Sequence, residues 1–214
     1  MTRNTRLLLS GAGLAGLLIG AVQVAQKSEW SRPVTHVKER VKGKAGVPVV
    51  VVEFSDFQCP SCKRAVAVMQ DLLKVYPDDV LFVFKHFPLE HIHKWARLSA
   101  QAAECAGRQG KFWEFHDQLF ERQEEWSKSG NAKEDFHRMA GALGLNRARF
   151  DACLGDPKTE QVIAMDIAEA QARQVGSTPT FFVGEFRLVG ATQLRENGAR
   201  IIEVLRNEAK RKGR

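Results

Sequence analysis

The chain has 214 residues, 44% of them hydrophobic, which is enough for one well-filled core with an appendage and too little for several large domains. Its net charge of +7 arises from 32 basic and 25 acidic residues that alternate along most of the sequence. No interleaving of aromatic and basic residues of the base-stacking kind appears, so a nucleic-acid partner is disfavoured.

Arg3 and Arg6 precede an uncharged stretch from Leu7 to Gln26 that is long enough to cross a bilayer core. Residues 1–26 therefore read as a signal anchor or signal peptide. The small-residue cleavage pattern is poor, since Gln23 lies two positions before Ala25 and Ile19 two before Ala21, which favours an uncleaved membrane anchor. Orientation is contested: Lys27, Arg32, Lys38, Arg40, Lys42 and Lys44 follow the segment, and the positive-inside rule alone would leave the domain in the cytoplasm. Gly11-Ala12-Gly13-Leu14-Ala15-Gly16 matches a dinucleotide-binding pattern by letter, but inside a membrane-length apolar run it lacks the strand, helix and acid that give the pattern meaning.

Residues 27–46, charged and interrupted by Pro33, Gly43 and Gly46, read as a spacer with a short strand at Val34 to Val37. A domain is expected from 47 to 209. Val49-Val50-Val51-Val52-Glu53-Phe54 has the near-continuous β-branched character of a strand buried on both faces of a parallel or mixed sheet. Glu53 is the anomaly in it, because an ionised carboxylate there is costly unless paired or protonated, and Lys85 at the end of the next strand is the candidate partner.

Cys59-Pro60-Ser61-Cys62 follows at a helix start, with residues 63 to 75 spaced as a helix and Pro60 suited to its first turn. Unpaired N–H groups and the positive end of the helix dipole favour a thiolate there, and the thiolate is the nucleophile of thiol-disulfide exchange. Cys59 is expected exposed at the tip, and Cys62 one turn in and partly covered. The rival is a metal-binding module using Cys59, Cys62 and His91 or His93. A closed zinc site wants four ligands, and Cys105 and Cys153 are single, so no metal is assigned.

Tyr76-Pro77-Asp78-Asp79 ends that helix, and Val80 to Phe84 is a second buried strand, completing a β-α-β unit. From about 88 to 175 the apolar spacing is helical, with Trp95, Leu98, Ala102 and Cys105 on one face and Phe112, Phe115 and Leu119 on the next. Strand character returns in Thr180 to Val183 and Phe186 to Val189 around a Gly184-Glu185 turn. A last amphipathic helix starts near Thr192, and residues 210–214 read as a solvated basic tail.

Three stretches carry a family resemblance: Phe54-Ser55-Asp56-Phe57-Gln58-Cys59-Pro60-Ser61-Cys62, Gly110-Lys111-Phe112-Trp113-Glu114-Phe115-His116-Asp117 and Gly176-Ser177-Thr178-Pro179-Thr180-Phe181-Phe182-Val183. With them the chain resembles the DsbA-like thiol-disulfide oxidoreductases of the thioredoxin superfamily over nearly all of 47 to 207. The resemblance implies an α/β thioredoxin-like fold with a helical insertion between its β-α-β and β-β-α halves. It implies a cis Thr178-Pro179 bond beside the dithiol, with Thr178 offering backbone hydrogen bonds to a bound substrate chain and Pro179, Pro60 and Ser61 lining its path. It also matches Glu53 to a buried acid behind the dithiol that takes a proton from Cys62.

Some members of that family carry a second cysteine pair. In an oxidising compartment a structural disulfide between Cys105 and Cys153 is the better reading than two buried thiols, although spacing alone does not decide it. The expected function is oxidation of reduced, exported substrate proteins in the periplasm by a membrane-tethered domain, with no bound cofactor and with a membrane or soluble redox partner for reoxidation. A reductase or isomerase is the alternative on the same fold.

Overall fold

The computed structural model describes residues 38–213. The anchor expected at 7–26, the Gly11 to Gly16 pattern and the strand expected at 34–37 lie outside these residues. Among the described residues no helix is long and apolar enough to cross a membrane.

Five strands form one mixed sheet: β1 (Val41–Lys42), β2 (Val49–Ser55), β3 (Val80–His86), β4 (Thr180–Val183) and β5 (Phe186–Val189), in the order β1-β3-β2-β4-β5. β2 is central, parallel to β3 and antiparallel to β4. That position explains its run of valines, since neighbours on both edges and helices on both faces leave no solvated side for alternation to mark. The β4–β5 hairpin turns at Gly184, whose φ of +58° favours glycine and whose missing Cβ leaves room for Leu205.

Helix α1 (Pro60–Val75) leaves β2 directly, and α8 (Gly190–Lys212) closes the chain. Both pack on one face, where Ala65, Met69 and Leu72 meet Leu194, Ile201 and Ile202 over Val51, Phe82 and Phe181. Between β3 and β4 run α2 (Ala96–Gly107), α3 (Phe112–Glu121), α4 (Gln123–Trp126), α5 (Ala132–Ala142), α6 (Arg147–Leu154) and α7 (Pro157–Ala172). Their starts are written locally: Asn146 accepts from Arg149 N at 2.9 Å, and Asp156 accepts from Lys158 N at 2.9 Å ahead of Pro157. The buried residues Phe112, Phe115, Leu119, Trp126, Phe136 and Phe150 of these helices form a core that continues through Phe84 of β3 and Phe57 to Cys59 and Cys62.

Cys105 and Cys153 are joined by a disulfide that ties α2 to α6 across 48 residues of sequence. Closing a loop of that length restricts the unfolded chain, so replacing both by Ala should lower unfolding stability by about 2–4 kcal/mol. Denaturant titration checks the loss, and thiol exchange per folded molecule should be unchanged.

Two boundaries differ from the sequence reading. Residues 38–42, taken as spacer, belong to the domain: a 3-10 turn over Lys38–Arg40 leads into β1, which pairs antiparallel with the edge of β3. Arg40 is 1% exposed, ion-paired with Glu104 and Asp166 from α2 and α7. The basic tail is likewise helical through Lys212, because Lys210, Arg211 and Lys212 sit in the last turn of α8, where cations complement the helix dipole.

Candidate active site

Cys59 caps the N-terminus of α1 and Pro60 is its first residue. Cys59 O accepts from Cys62 N at 3.1 Å and from Lys63 N at 3.2 Å, so the two thiols lie on the same side of the first turn. Both are free. Cys59 is covered more than the helix-tip argument implies, at 8% exposure against 0% for Cys62. The cover comes from far along the chain. The loop before β4 brings Thr178 O to 3.4 Å from Cys59 Sγ, and Gln123 of α4 donates to Phe57 O at 2.7 Å and Cys59 O at 3.0 Å.

The thiols have opposite electrostatic environments. Hydrogen bonding from the Cys62 thiol favours the Cys59 thiolate; burial opposes it, and the Thr178 side chain and the N–H groups of Cys62 and Ser61 add to the gain, bringing Cys59 down to about 5. Cys62 is pushed well above the ordinary thiol value by burial, by its role as donor to Cys59, and by the charges of Cys59 and Glu53. One sulfur is thus poised as thiolate and the other as thiol. The Thr178-Pro179 peptide is cis, with Pro179 buried, Pro60 exposed and Ser61 half-buried beside the sulfurs.

Glu53 is 4% exposed on central β2. Burial pushes its carboxyl up to about 8, the Ser55 hydroxyl opposes that shift and the Cys59 charge adds to it. Lys85 is not its partner, contrary to the sequence reading. Glu53 pairs in register with Phe84, whereas Lys85 pairs with Phe54 and so points to the opposite face of the sheet. There its ammonium meets Asp166 at 3.1 Å and Glu169 at 2.9 Å.

His91 is exposed, while His93 Nδ1 is turned to Asp56 Oδ2 at 2.7 Å. Among the described residues no three His, Cys, Asp or Glu side chains converge as a metal cluster. The sequence reading weighed His93 only as a metal ligand and carried Asp56 only as a letter of the family motif, and it gave no role to Gln123. Asp56, three residues before Cys59 in the same motif, was the available signal; Gln123 had none.

A family model described as Thioredoxin matches residues 35–202. The fold is shared with alpha-DsbA1 of Wolbachia pipientis, at a TM-score of 0.75 and 20% identity over 87% of this chain and 98% of that one. BdbD of Bacillus subtilis superposes at a TM-score of 0.70 with 26% identity over 78% and 92% of the two chains. The chain belongs to the thioredoxin family. A thioredoxin-like oxidoreductase from Silicibacter pomeroyi is similar at 28% identity and a TM-score of 0.68, covering 85% of this chain and 98% of that one. In sequence the chain is also 37% identical over 163 residues to a Na(+)/H(+) antiporter NhaA 1 of Mycolicibacterium vanbaalenii, covering 74% of this chain and 25% of that protein. It spans about a quarter of the length of such curated relatives.

The raised Glu53 value has a stability consequence. Between 4.5, its ordinary value, and about 8 the folded chain holds a proton that the unfolded chain has released. The Glu53 contribution to stability is therefore fully present below pH 4.5 and falls as pH rises toward 8. Glu53→Gln should flatten that slope and stabilise the protein at neutral pH by on the order of 2 kcal/mol. Urea titrations at the two ends of this window check it, and equal slopes for both proteins would mean that Glu53 is ionised in the fold.

Proposed function

We propose that the protein is a thiol-disulfide oxidoreductase that donates its Cys59–Cys62 disulfide to reduced substrate proteins. The observation that carries the reading is the opposed pair: a Cys59 sulfur favoured as thiolate against a Cys62 sulfur favoured as thiol, above a protonated Glu53. A substrate thiolate attacks Cys59 Sγ, the enzyme S–S bond breaks, and its electron pair leaves on Cys62. In this reading Glu53, whose buried carboxyl keeps its proton at neutral pH, protonates that departing sulfur. A second substrate thiolate then attacks the substrate sulfur of the mixed disulfide. Cys59 leaves as a thiolate of low pKa, which makes it a fast leaving group. The substrate gains a disulfide, the enzyme keeps the two electrons, and no cofactor takes part.

The substrate strand is expected to lie along the Thr178-Pro179 loop, with Thr178 offering its backbone and Pro60 and Ser61 on the rim. An export location is supported by the apolar stretch at 7–26 and by the Cys105–Cys153 disulfide, which suits an oxidising compartment. A redox partner must then reoxidise the dithiol.

Equilibrium with glutathione tests the direction. Oxidases of this superfamily sit near −120 mV and thioredoxin-like reductants near −270 mV. A value toward the first supports donation of the disulfide. A value near the second, together with a C-terminal export reporter that stays silent, assigns the protein to reduction in the cytoplasm instead.

A further inference from the structure

Asp56 lies in the turn between β2 and α1 with its side chain 0% exposed. Its Oδ1 accepts from Gln58 N at 2.7 Å, and its Oδ2 accepts from Leu89 N at 2.9 Å and faces His93 Nδ1 at 2.7 Å. Its own carbonyl accepts from Cys59 N at 3.0 Å, so this buried acid is built into the turn that presents the nucleophilic sulfur. A carboxylate so placed opposes a negative charge on Cys59. Pro60 and Ser61, between the cysteines, carry no charge to offset it.

The His93 backbone is fixed on both sides, and Asp56 holds its ring. His93 N donates to Leu89 O at 2.9 Å, Ala96 N donates to His93 O at 3.1 Å, and Trp95 N donates to Gln58 Oε1 at 2.7 Å. Neighbouring charges are engaged elsewhere: Lys94 lies over the Trp95 ring at 4.3 Å, Arg97 pairs with Glu90 at 3.3 Å, Lys63 faces Glu124 at 3.8 Å, and His91 is exposed. The groups acting on the ring are Asp56 and Cys59. Hydrogen bonding to Asp56 raises its pKa, burial opposes this, and the charges of Asp56 and Cys59 raise it further.

We propose that His93 is a redox-linked positioning residue: its imidazolium, held by Asp56, offsets that carboxylate beside Cys59, and the ring takes up a proton as the active-site disulfide is reduced and releases it on reoxidation. This deepens the function proposed above and rests on it. The proton balance closes. Two substrate thiols lose two electrons and two protons as their sulfurs join. The electrons pass to Cys59 and Cys62, and one proton stays on Cys62. The other, which Cys59 does not keep at neutral pH, goes to His93 where the ring was neutral and to solvent where it was already charged.

The test is a ring-proton NMR titration of the full chain in its disulfide and dithiol forms, with His93→Gln assigning the signal among the six histidines. The His93 midpoint should be higher in the dithiol form by about half a unit or more. In His93→Gln the Cys59 thiolate midpoint should rise, and the glutathione equilibrium should move toward the enzyme disulfide by about three- to tenfold. That difference between wild type and variant should fade above the midpoint of the ring, where the wild-type imidazole is also uncharged. The wild-type comparison stands even if the variant folds poorly. Equal His93 midpoints in both redox states, in a protein that still exchanges with glutathione, overturn this inference alone. A protein that does not exchange with glutathione at all overturns the proposed function and this inference with it.

Discussion

Cys62→Ser is expected to abolish turnover, because the Cys59–Cys62 disulfide can no longer form, and to leave Cys59 trapping the mixed disulfides made when its thiolate attacks disulfides of other proteins, since Cys62 is no longer there to reverse that step. The comparison with Cys62→Ala is sharper. The leading reason Cys59 lies near 5 is the hydrogen bond from the Cys62 thiol, so Ser, which keeps a donor, should hold the thiolate midpoint low, and Ala should raise it by a unit or more. Alkylation rate against pH reads this directly. Intrinsic nucleophilicity falls as thiol pKa falls, so the absolute rate at neutral pH is a poor indicator and the midpoint of the profile is the informative quantity. The wild-type dithiol and Cys62→Ser should be flat above about pH 6, while Cys62→Ala should still be rising there. A profile in which Cys62 reacts first, or in which both variants titrate together, would reverse the roles of the two cysteines.

What could be read from the sequence was local. The valine run of β2, the Cys-Pro-Ser-Cys start of α1 and the switch from period 3.6 back to strand at Thr180 each depend on a few neighbouring residues, and the structure has all three within a residue or two of where the pattern put them. Glu53 stood out because an acid in a buried valine run has few explanations. Its supposed pairing with Lys85 failed on register: one position of offset along β3 sends a side chain through the sheet, and nothing in the local sequence fixes that parity. The coverage of Cys59 was hidden for a related reason, since Thr178 and Gln123 reach it from 119 and 64 residues away. Arg40 was misplaced because a cation in a charge-rich stretch looks solvated until its acids, Glu104 and Asp166, are seen to converge on it.

Arg40→Ala is expected to destabilise the domain by about 3–5 kcal/mol, the range for removing one member of a buried ion-paired group. The reason lies in what is left behind. Arg40 Nε is 3.0 Å from Glu104 Oε1, and its Nη1 meets Asp166 Oδ2. Asp166 also accepts from Lys85 Nζ at 3.1 Å and His86 N at 2.9 Å, while Glu104 is held by His86 Nε2 at 2.9 Å. Burial works against both carboxylates. Asp166 is nonetheless held below its ordinary value by Arg40, His86 and Lys85, and Glu104 by His86 and Arg40. Both groups have depressed values, so the stability they contribute is present above the ordinary carboxylate range and is lost as pH falls through their folded values. Removing Arg40 should therefore lower the plateau at neutral pH and flatten the acid limb, as the two acids approach their unfolded values. A double-mutant cycle with Glu104→Gln separates the charge from the packing: if the guanidinium acts by neutralising Glu104, the pair of changes should destabilise less than the sum of the two by about 0.5–3 kcal/mol. Additivity, or a loss below about 1 kcal/mol for Arg40→Ala, would mean that residues 38–42 are pinned to the sheet by the β1–β3 pairing alone.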